Sequence, residues 1–338
     1  MIKFQRIVGF FILSLILISL PSCVYETPDL AQCSKEIKLI IRTDLSQLPD
    51  SIINYTRSAG TETSYQIRIY PEKNHFVPLI DTVIYNNSDN FKEIAIPVNL
   101  TLGKYDILVW GDYCDANSGK SLYYNTEKFD SISFKEPYKG DSSLKQAYRG
   151  KVSITITEKD FVNSEYITDI TITSPLSRYM FVATDLGDFI NQEVNKGRIK
   201  ETFLSEYQGS PIYNSLFDSY KVIVKYTGFL STAFDNFTDN PIFSSSGISY
   251  TGEIKVLSSS EALIASDYVM VNGEESSVQV MLEIYDSSGE PVSRTAPFNI
   301  PTKRGRTTII TGKFLTTLQE NGVGIDPEFS GDYNYEIK

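Results

Sequence analysis

The chain has 338 residues, 41% of them hydrophobic, and 42 acidic against 31 basic residues give it a net charge of −11. Nucleic-acid binding depends on lysine and arginine contacts to phosphate, so this acidic composition disfavours a DNA- or RNA-binding role. One histidine and three cysteines are too few for zinc sites built from several such ligands.

The N-terminus has the organisation of a secretory signal peptide. Lys3 and Arg6 supply positive charge, and an apolar run follows them as far as Leu20. The segment Leu20-Pro21-Ser22-Cys23 resembles the lipobox that bacterial signal peptidase II recognises. We therefore predict that residues 1–22 are removed and that Cys23 is acylated. A retained membrane anchor is the alternative, but a spanning helix needs about 20 apolar residues and this run is shorter.

Acylation would hold an otherwise soluble protein on a membrane, because each buried methylene contributes about 0.8 kcal/mol. Residues 23–34 then form a polar tether. Glu26 and Asp29 in this tether resemble the acidic surface-export signal of Bacteroidetes lipoproteins. The predicted location is the cell outer membrane, with the protein lipid-anchored and exposed at the surface.

Cys33 and Cys114 are the two cysteines that remain. In an oxidising compartment they are a candidate disulfide that would tie the start of the folded region to a later strand end. Two unpaired cysteines are the alternative, since the pairing requires Cα atoms within about 7 Å. The chain has no CxxC pair, so no thioredoxin-like redox site is predicted.

Beyond the leader, apolar and polar residues alternate in short runs, a period of two that is typical of strands with one buried face. In chain order the predicted strands are Ile37–Thr43, Tyr65–Tyr70, Phe91–Val98, Tyr105–Gly111, Lys151–Thr157, Tyr166–Thr173, Tyr179–Thr184, Tyr220–Lys225, Ile248–Leu257, Ser277–Tyr285 and Thr307–Leu315.

One segment, Asp185–Lys200, has helical spacing instead, with Thr184 or Asp185 available as a cap. Its apolar residues are Leu186, Phe189, Ile190 and Val194. We interpret this face as core packing rather than as a ligand site.

The strands divide into two blocks of about seven, the number expected for a two-sheet sandwich. The polar link Glu158–Ser164 is the predicted boundary between them. We predict an all-β fold with two tandem β-sandwich domains, residues 35–160 and 164–320. One short helix lies in the second domain, and residues 321–338 form a C-terminal tail.

No catalytic motif is found. His75 lies in a polar stretch and is interpreted as an exposed turn residue, because nothing nearby resembles a nucleophile elbow. The carboxylates considered for glycoside hydrolysis are Asp112, Asp115, Asp185 and Asp188. Acidic residues at strand ends and helix starts usually form turns and caps, so we predict no enzyme activity and no cofactor.

Three further features have weak functional interpretations. Asp112, Asp115, Asn117 and the carbonyls around Gly119 could offer oxygen ligands to calcium, but their spacing fails the EF-hand pattern and no metal site is predicted. Trp110 and the many tyrosines could form a carbohydrate platform, although core packing is the commoner role. The cluster Lys303-Arg304-Gly305-Arg306 is interpreted as a solvated hairpin loop, with a protease-processing site as the alternative.

Several segments in the same order resemble the fimbrial anchor and fimbrillin-like lipoproteins of Bacteroidales. Besides the lipobox, these segments are Gly103–Asp112, Ala147–Gly150, Ser174–Tyr179 and Arg306–Lys313.

The resemblance implies two transthyretin-like sandwich domains and a non-enzymatic role in anchoring or capping a pilus at the outer membrane. The implied partners are fimbrial subunits, bound by strand or edge contacts. The tail Gly322–Lys338 either binds such a partner in extended form or packs back on its own domain. A glycan-binding surface lipoprotein is the alternative function, and a surface hydrolase is a third hypothesis.

Overall fold

The computed structural model describes residues 34–44, 60–86, 91, 93–162, 166–200 and 216–317, together with the backbone of 334–336. The predicted signal peptide, the lipidation site Cys23 and Cys33 lie outside these residues. The described chain is mostly strand, which confirms the predicted all-β class. Within this part of the chain, no helix is long and apolar enough to cross a membrane.

The strands and helices are β1 (Lys35–Thr43), β2 (Thr61–Pro71), β3 (Ile80–Asn86), β4 (Ile94–Leu100), β5 (Gly103–Asp115), β6 (Tyr124–Asn125), β7 (Ile132–Phe134), β8 (Ala147–Ile156), α1 (Glu158–Val162), β9 (Ile167–Ile172), β10 (Leu176–Ala183), α2 (Leu186–Asn195), β11 (Lys221–Tyr226), β12 (Leu230–Asp235), β13 (Asn240–Ser245), β14 (Ser249–Gly252), β15 (Lys255–Val256), β16 (Ala262–Met270), β17 (Glu275–Tyr285), β18 (Pro291–Arg294), β19 (Phe298–Lys303), β20 (Thr307–Gly312) and β21 (Asn334–Glu336).

The first sandwich has two sheets, with strand orders β4-β1-β9 and β3-β2-β5-β8. Alternation places every second side chain of each strand in the core between them. Ile37, Leu39 and Ile41 of β1 are fully buried, and they share one core with Tyr65 and Ile67 of β2. Seven strands therefore form this sandwich, and they include β3, which the sequence pattern missed, and β9, which the sequence pattern put in the second block.

The second sandwich has the strand orders β15-β16-β10-β20-β21 and β14-β11-β17-β18, with β19 also paired to β17. Phe181 of β10 and Val224 of β11 belong to its core. Phe189 and Ile190 of α2 are buried in the same core, so the helix predicted at Asp185–Lys200 is present, is shorter, and has the packing role expected for it.

The strand that follows the link Glu158–Ser164 pairs with the first described strand of the chain. β9 follows the predicted boundary but pairs in parallel with β1, with Lys38 opposite Ile167 and Thr43 opposite Ile172. The sheet of β1 therefore includes residues as far as Ile172, and α1 lies within the polar link Glu158–Ser164. Local alternation of apolar and polar residues cannot predict the pairing of β9 with β1, because these two strands are far apart in sequence.

A third sheet, with strand order β13-β12-β7-β6, joins the two halves of the chain. Phe234 of β12 lies opposite Ile132 of β7 in the antiparallel register. This sheet covers a third core in which Trp110 and Phe234 pack with Met270 of β16. The two sandwiches thus share a sheet and a core and are not independent modules.

Arginine and asparagine side chains add hydrogen bonds at the same junction. Arg149 of β8 donates from Nε to Asn236 Oδ1 at 3.0 Å and from Nη2 to the Asn236 carbonyl at 2.8 Å. Asn236 is fully buried and donates in turn to the carbonyl of Val109 on β5 at 3.2 Å. Each of these bonds crosses from one half of the chain to the other.

Two predicted segments differ in detail. The strand predicted at Ile248–Leu257 is two strands, β14 and β15, which belong to different sheets of the second sandwich. The tail contributes β21, which pairs in parallel with β20, so this part of the tail packs back on its own domain. The strands that the pattern missed are β3, β6, β7, β12, β13, β16, β18 and β19.

The third core gives the first prediction. Phe234 is fully buried whereas Phe229, five positions earlier, is 75% exposed. Phe234→Ala should lower the free energy of unfolding by about 3–5 kcal/mol because it opens a cavity in a close-packed core. Phe229→Ala should change it by less than about 0.5 kcal/mol. Guanidinium unfolding of both variants measures the difference, and equal effects would contradict the assignment of Phe234 to the core.

Candidate functional site

The most exposed apolar surface in the described chain lies along β3 and the hairpin that leads into it. We call the five residues Phe76, Val77, Leu79, Val83 and Tyr85 the β3 edge patch. Phe76 is 96% exposed, Val77 is 65% exposed and Tyr85 is 49% exposed. Exposed apolar side chains grouped along one strand and its hairpin mark a candidate interaction surface, although the exposed Asp81 lies on the same face of β3.

The position of β3 in its sheet adds a second property. Within the described residues β3 is an outer strand whose ladder partner is β2. Its inward residues Ile80 and Ile84 pack against the first core, while Val83 and Tyr85 point away from it. An outer strand presents main-chain N–H and C=O groups that can pair with another extended segment.

The hairpin that carries the patch is held in a defined conformation. Asn74 accepts a hydrogen bond from the backbone N–H of Phe76 at 3.1 Å, and the Asn74 N–H donates to the carbonyl of Pro71 at 2.9 Å. His75 stacks on Phe237 with ring centroids 4.8 Å apart, and its Nε2 lies 3.0 Å from Asp106 Oδ2. His75 is therefore a half-exposed turn residue that fixes the hairpin against the β12–β13 turn.

A cavity of about 280 Å³ lies beside this hairpin. Aromatic rings, among them Tyr70, Phe129 and Phe237, form part of its wall. Arg68 also borders it, with Nε 3.0 Å from Asp81 Oδ2 and Nη1 donating to the Glu127 carbonyl at 2.8 Å. Tyr70 and Phe129 are only 4% and 1% exposed, so His75, Phe76 and Phe237 are the rings that offer apolar surface to a sugar.

The carboxylates considered for catalysis have structural roles. Asp112 is fully buried and accepts hydrogen bonds from Ser64 Oγ at 2.8 Å, Ser121 Oγ at 2.5 Å and Trp110 Nε1 at 3.2 Å. Burial raises the pKa of this carboxyl group to about 6, although its three hydrogen bonds act in the opposite direction. Asp115 accepts from the backbone N–H and the hydroxyl of Ser118, and these bonds lower its pKa.

Asp185 precedes α2 as predicted, but its side chain does not cap the helix. It accepts from the backbone N–H of Thr316 at 2.8 Å and from that of Leu315 at 3.2 Å, which ties the chain after β20 to the start of the helix. Asp188 lies in the first turn of the same helix. In the described part of the chain, no group of three or more His, Cys, Asp or Glu side chains is placed to hold a metal ion.

Two other interpretations need correction. Trp110 is fully buried, so it belongs to the third core and is not part of a carbohydrate platform. The cluster Lys303–Arg306 does form the β19–β20 turn, but Arg304 is not solvated. Its side chain is 10% exposed, and Nη1 donates to Asp239 Oδ1 at 2.8 Å.

Cys114 is fully buried in β5, and burial is the main reason that its thiol pKa is raised. Its candidate disulfide partner Cys33 lies outside the described residues, so the pairing stays a prediction.

The sequence interpretation missed a buried polar cluster between the two halves. Lys145 Nζ lies 2.8 Å from Asp267 Oδ1, and the two side chains are 1% and 0% exposed. Tyr138 and Tyr226 each donate a hydroxyl hydrogen bond to Asp267 Oδ2 at 2.7 Å. Burial lowers the pKa of Lys145 and raises those of both tyrosines, because the interior disfavours each charged form.

Comparison with known proteins places the chain in a family and near several solved structures. A family model described as "Family of unknown function (DUF6562)" matches residues 31–338. No curated protein matches the chain at a significant level.

Similar structures include the fimbrial anchor protein Mfa2 from Porphyromonas gingivalis, with 13% identity, a TM-score of 0.40 and coverage of 77% of this chain and 82% of that one. A fimbrial assembly protein from Parabacteroides distasonis has 10% identity, a TM-score of 0.39 and coverage of 82% and 90%. Fimbrial proteins of Bacteroidales are thus among the structural neighbours, in agreement with the resemblance of the sequence segments. With TM-scores below 0.5, this likeness carries no conclusion about function.

The buried carboxyl group of Asp112 gives a prediction about pH. Its pKa is about 6 in the folded protein and 3.8 ordinarily, so between these values the folded state retains a proton that the unfolded state has lost. Stability therefore falls as pH rises through this window, and above pH 6 the penalty is fully present, on the order of 3 kcal/mol. Relative to Asp112→Asn, the wild-type protein should lose stability between pH 4 and pH 7 in urea unfolding.

Asp115→Asn is the matched control, because the pKa of Asp115 is shifted in the opposite direction from that of Asp112. The pKa of Asp115 is lowered, so its stabilising contribution is present above its ordinary pKa of 3.8 and is lost as pH falls below that value. If the wild-type protein and Asp112→Asn kept a constant difference from pH 4 to pH 7, the proposed titration of Asp112 would be wrong.

Proposed function

The chain belongs to the family of unknown function (DUF6562), and we propose that it is a non-catalytic lipoprotein of the outer membrane that anchors or assembles fimbriae. In this proposal it binds fimbrial subunits through the β3 edge patch, and lipid on Cys23 holds it at the membrane. The observation that carries the proposal is an outer strand, β3, whose solvent-facing side chains include exposed apolar residues.

Two physical properties of β3 support a protein partner. Outer strands in natural proteins are usually protected by charge, proline or a covering segment, because unprotected edges pair with other chains. In β3, the exposed side chains of Val83 and Tyr85 are apolar, and the sequence Ile80–Asn86 contains no proline. A partner segment could gain main-chain hydrogen bonds from the ladder and side-chain burial from the patch.

Three other outer strands, β4, β9 and β13, fit this role less well. β4 contains Pro97, and β13 contains Pro241, each of which removes a main-chain donor from its strand. β9 lies beside β8, where Thr173 and Arg149 form an antiparallel bridge. β3 is therefore the edge on which we place the partner.

A membrane tether is consistent with this assignment. The lipobox-like segment ending at Cys23 and the polar tether before β1 would leave the sandwiches in solvent, close to the membrane and free to receive a subunit. The Bacteroidales fimbrial lipoproteins that the sequence resembles imply the same arrangement.

Glycan binding is the second candidate function, and the cavity bordered by the accessible rings of His75, Phe76 and Phe237 is the observation that favours it. The two functions differ in what the purified protein should retain. Fimbrial subunits are expected for the first, and polysaccharide is expected for the second.

Charge introduced into the patch should weaken partner binding. Val83→Asp together with Tyr85→Asp should weaken binding to fimbrial subunits by about tenfold or more, because a carboxylate would have to be buried against the partner. The measurement is co-purification from solubilised membranes, followed by titration of the purified subunit. Ile167→Asp is the control, since Ile167 on β9 is also 49% exposed but lies away from β3.

The control variant should bind as the wild type does, and all variants should unfold at the same temperature. Unchanged binding of the double variant would refute the assignment of the β3 edge patch. Retention of polysaccharide without any fimbrial subunit would support the glycan-binding alternative instead.

The lipid anchor is tested separately. Cys23→Ser should abolish incorporation of a labelled fatty acid, because the serine hydroxyl does not replace the acylated thiol. Mass spectrometry of the wild-type protein should find an acylated N-terminal peptide that begins at Cys23. A wild-type chain that still carries residues 1–22 would contradict cleavage and lipidation.

A further inference from the structure

The buried pair of Lys145 and Asp267 joins two distant parts of the chain. Lys145 ends a short 3₁₀ turn, Ser143–Lys145, immediately before β8 of the first sandwich, and Asp267 lies in β16 of the second. Nζ and Oδ1 are 2.8 Å apart, and both side chains are excluded from solvent. An amine and a carboxyl group are thus held in contact in an enclosed, aromatic environment.

We propose that Lys145 and Asp267 are a modification site at which an intramolecular isopeptide bond forms between Nζ and Cγ with release of one water molecule. This inference stands on the geometry of the pair and does not require the fimbrial function.

The reaction balances without any other reactant. One proton passes from the ammonium group to Oδ1, which gives a neutral amine and a carboxylic acid. The amine nitrogen then attacks Cγ, and the carbonyl electron pair moves onto Oδ2. A second proton passes from nitrogen to the Oδ1 hydroxyl, the Cγ–Oδ1 bond breaks, and water leaves. The carbonyl at Oδ2 reforms, and the nitrogen keeps one hydrogen as an amide.

The neighbouring hydroxyl groups are placed to assist this step. Tyr138 and Tyr226 donate to Oδ2 at 2.7 Å, the oxygen on which negative charge develops in the tetrahedral intermediate. Donors fixed toward a developing oxyanion stabilise it strongly in a site without water. Lys145 Nζ also donates to the Tyr138 hydroxyl at 2.6 Å, so this tyrosine contacts both reacting groups.

Oδ1, the leaving oxygen, has different partners. It faces Lys145 Nζ, from which both protons come, and accepts from the backbone N–H of Tyr268 at 2.8 Å. The rings of Phe134 and Tyr138 also lie against the amine, with centroids 4.2 Å and 3.9 Å from Nζ. Asp267 is the carboxyl group that the amine contacts in this enclosure.

Two general effects favour the bond. A buried ion pair retains a desolvation penalty that its mutual attraction often fails to offset, and an amide removes both charges from the interior. Groups held in van der Waals contact react as if one were present at about 10⁵–10⁸ M, because the entropy of bringing them together has already been lost in folding. Burial also lowers the pKa of Lys145, which favours the nucleophilic amine.

The bond would covalently link the first sandwich to the second beside the shared sheet. Separation of the two halves would then require breaking a covalent bond in addition to the third core. A subunit that transmits force between a membrane tether and a bound fibre would benefit from such a link.

Peptide mapping of the full-length protein purified from membranes tests the proposal. Trypsin should fail to cut after Lys145, and residues 140–149 should be recovered joined to residues 256–294, with the summed mass reduced by one water. Fragmentation should locate the link to Lys145 and Asp267. Recovery of separate peptides 140–145, 146–149 and 256–294, without any linked form, would overturn the proposal.

Lys145→Arg is the control variant, because arginine keeps the positive charge beside Asp267 but its guanidinium is not expected to form the amide. Its peptides should have their unlinked masses. A linked peptide that persists in this variant would place the bond at another residue and would also overturn the assignment. Because mapping of the wild-type protein is decisive on its own, poor folding of the variant would not affect the conclusion.

Discussion

Trp110 and Phe234 meet with ring centroids 6.4 Å apart, at the place where residues from both halves of the chain form one core. Trp110 comes from β5 of the first sandwich, and Phe234 comes from β12, a strand that pairs with β7 of the other half. Tandem sandwiches connected by a short link would be expected to move against each other. Here the two sandwiches share a sheet and a core, so movement of one against the other would require part of the interior to unfold.

This junction determines where function can lie. The polar residues that a search for chemistry would favour are used inside the protein. Asp112 accepts three side-chain hydrogen bonds in the first half, Asp185 holds the end of β20 against α2, and Asp267 pairs with Lys145 between the halves. A partner would therefore bind to exposed side chains, and the β3 edge patch is the surface that we propose for it. An outer strand with exposed apolar side chains suits a partner that adds a strand to the sheet.

The sequence predicted the fold class, the two sandwiches and α2, because alternation and helical spacing are local signals. It did not predict β16, since all nine residues of Ala262–Met270 are buried and the strand shows no alternation. β7 was missed because three residues are too few for a pattern. The pairing of β9 with β1 was not predicted, because it joins strands that are far apart in sequence. Whether Cys23 is acylated and whether Cys33 pairs with Cys114 remain predictions.

The candidate site was missed for a related reason. In β3, Val83 and Tyr85 face solvent while Ile80 and Ile84 face the core, so apolar residues on both faces obscure the alternation. The same departure from the pattern is what marks the strand as a binding surface. Lys145 lies in the polar stretch Ser143-Leu144-Lys145-Gln146, where nothing in the local sequence indicates that a lysine is buried.

Hydrogen exchange of the backbone amides measures the joining of the two halves most directly. If β7 and β12 belong to a core shared by both sandwiches, the hydrogen-bonded amides of Ile132–Phe134 and Leu230–Asp235 should exchange as slowly as those of β10 and β16, because their opening requires unfolding of the same cooperative unit. Exchange of these two segments at the rate of exposed loops, with both sandwiches still protected, would show that the halves are independent and would contradict this account.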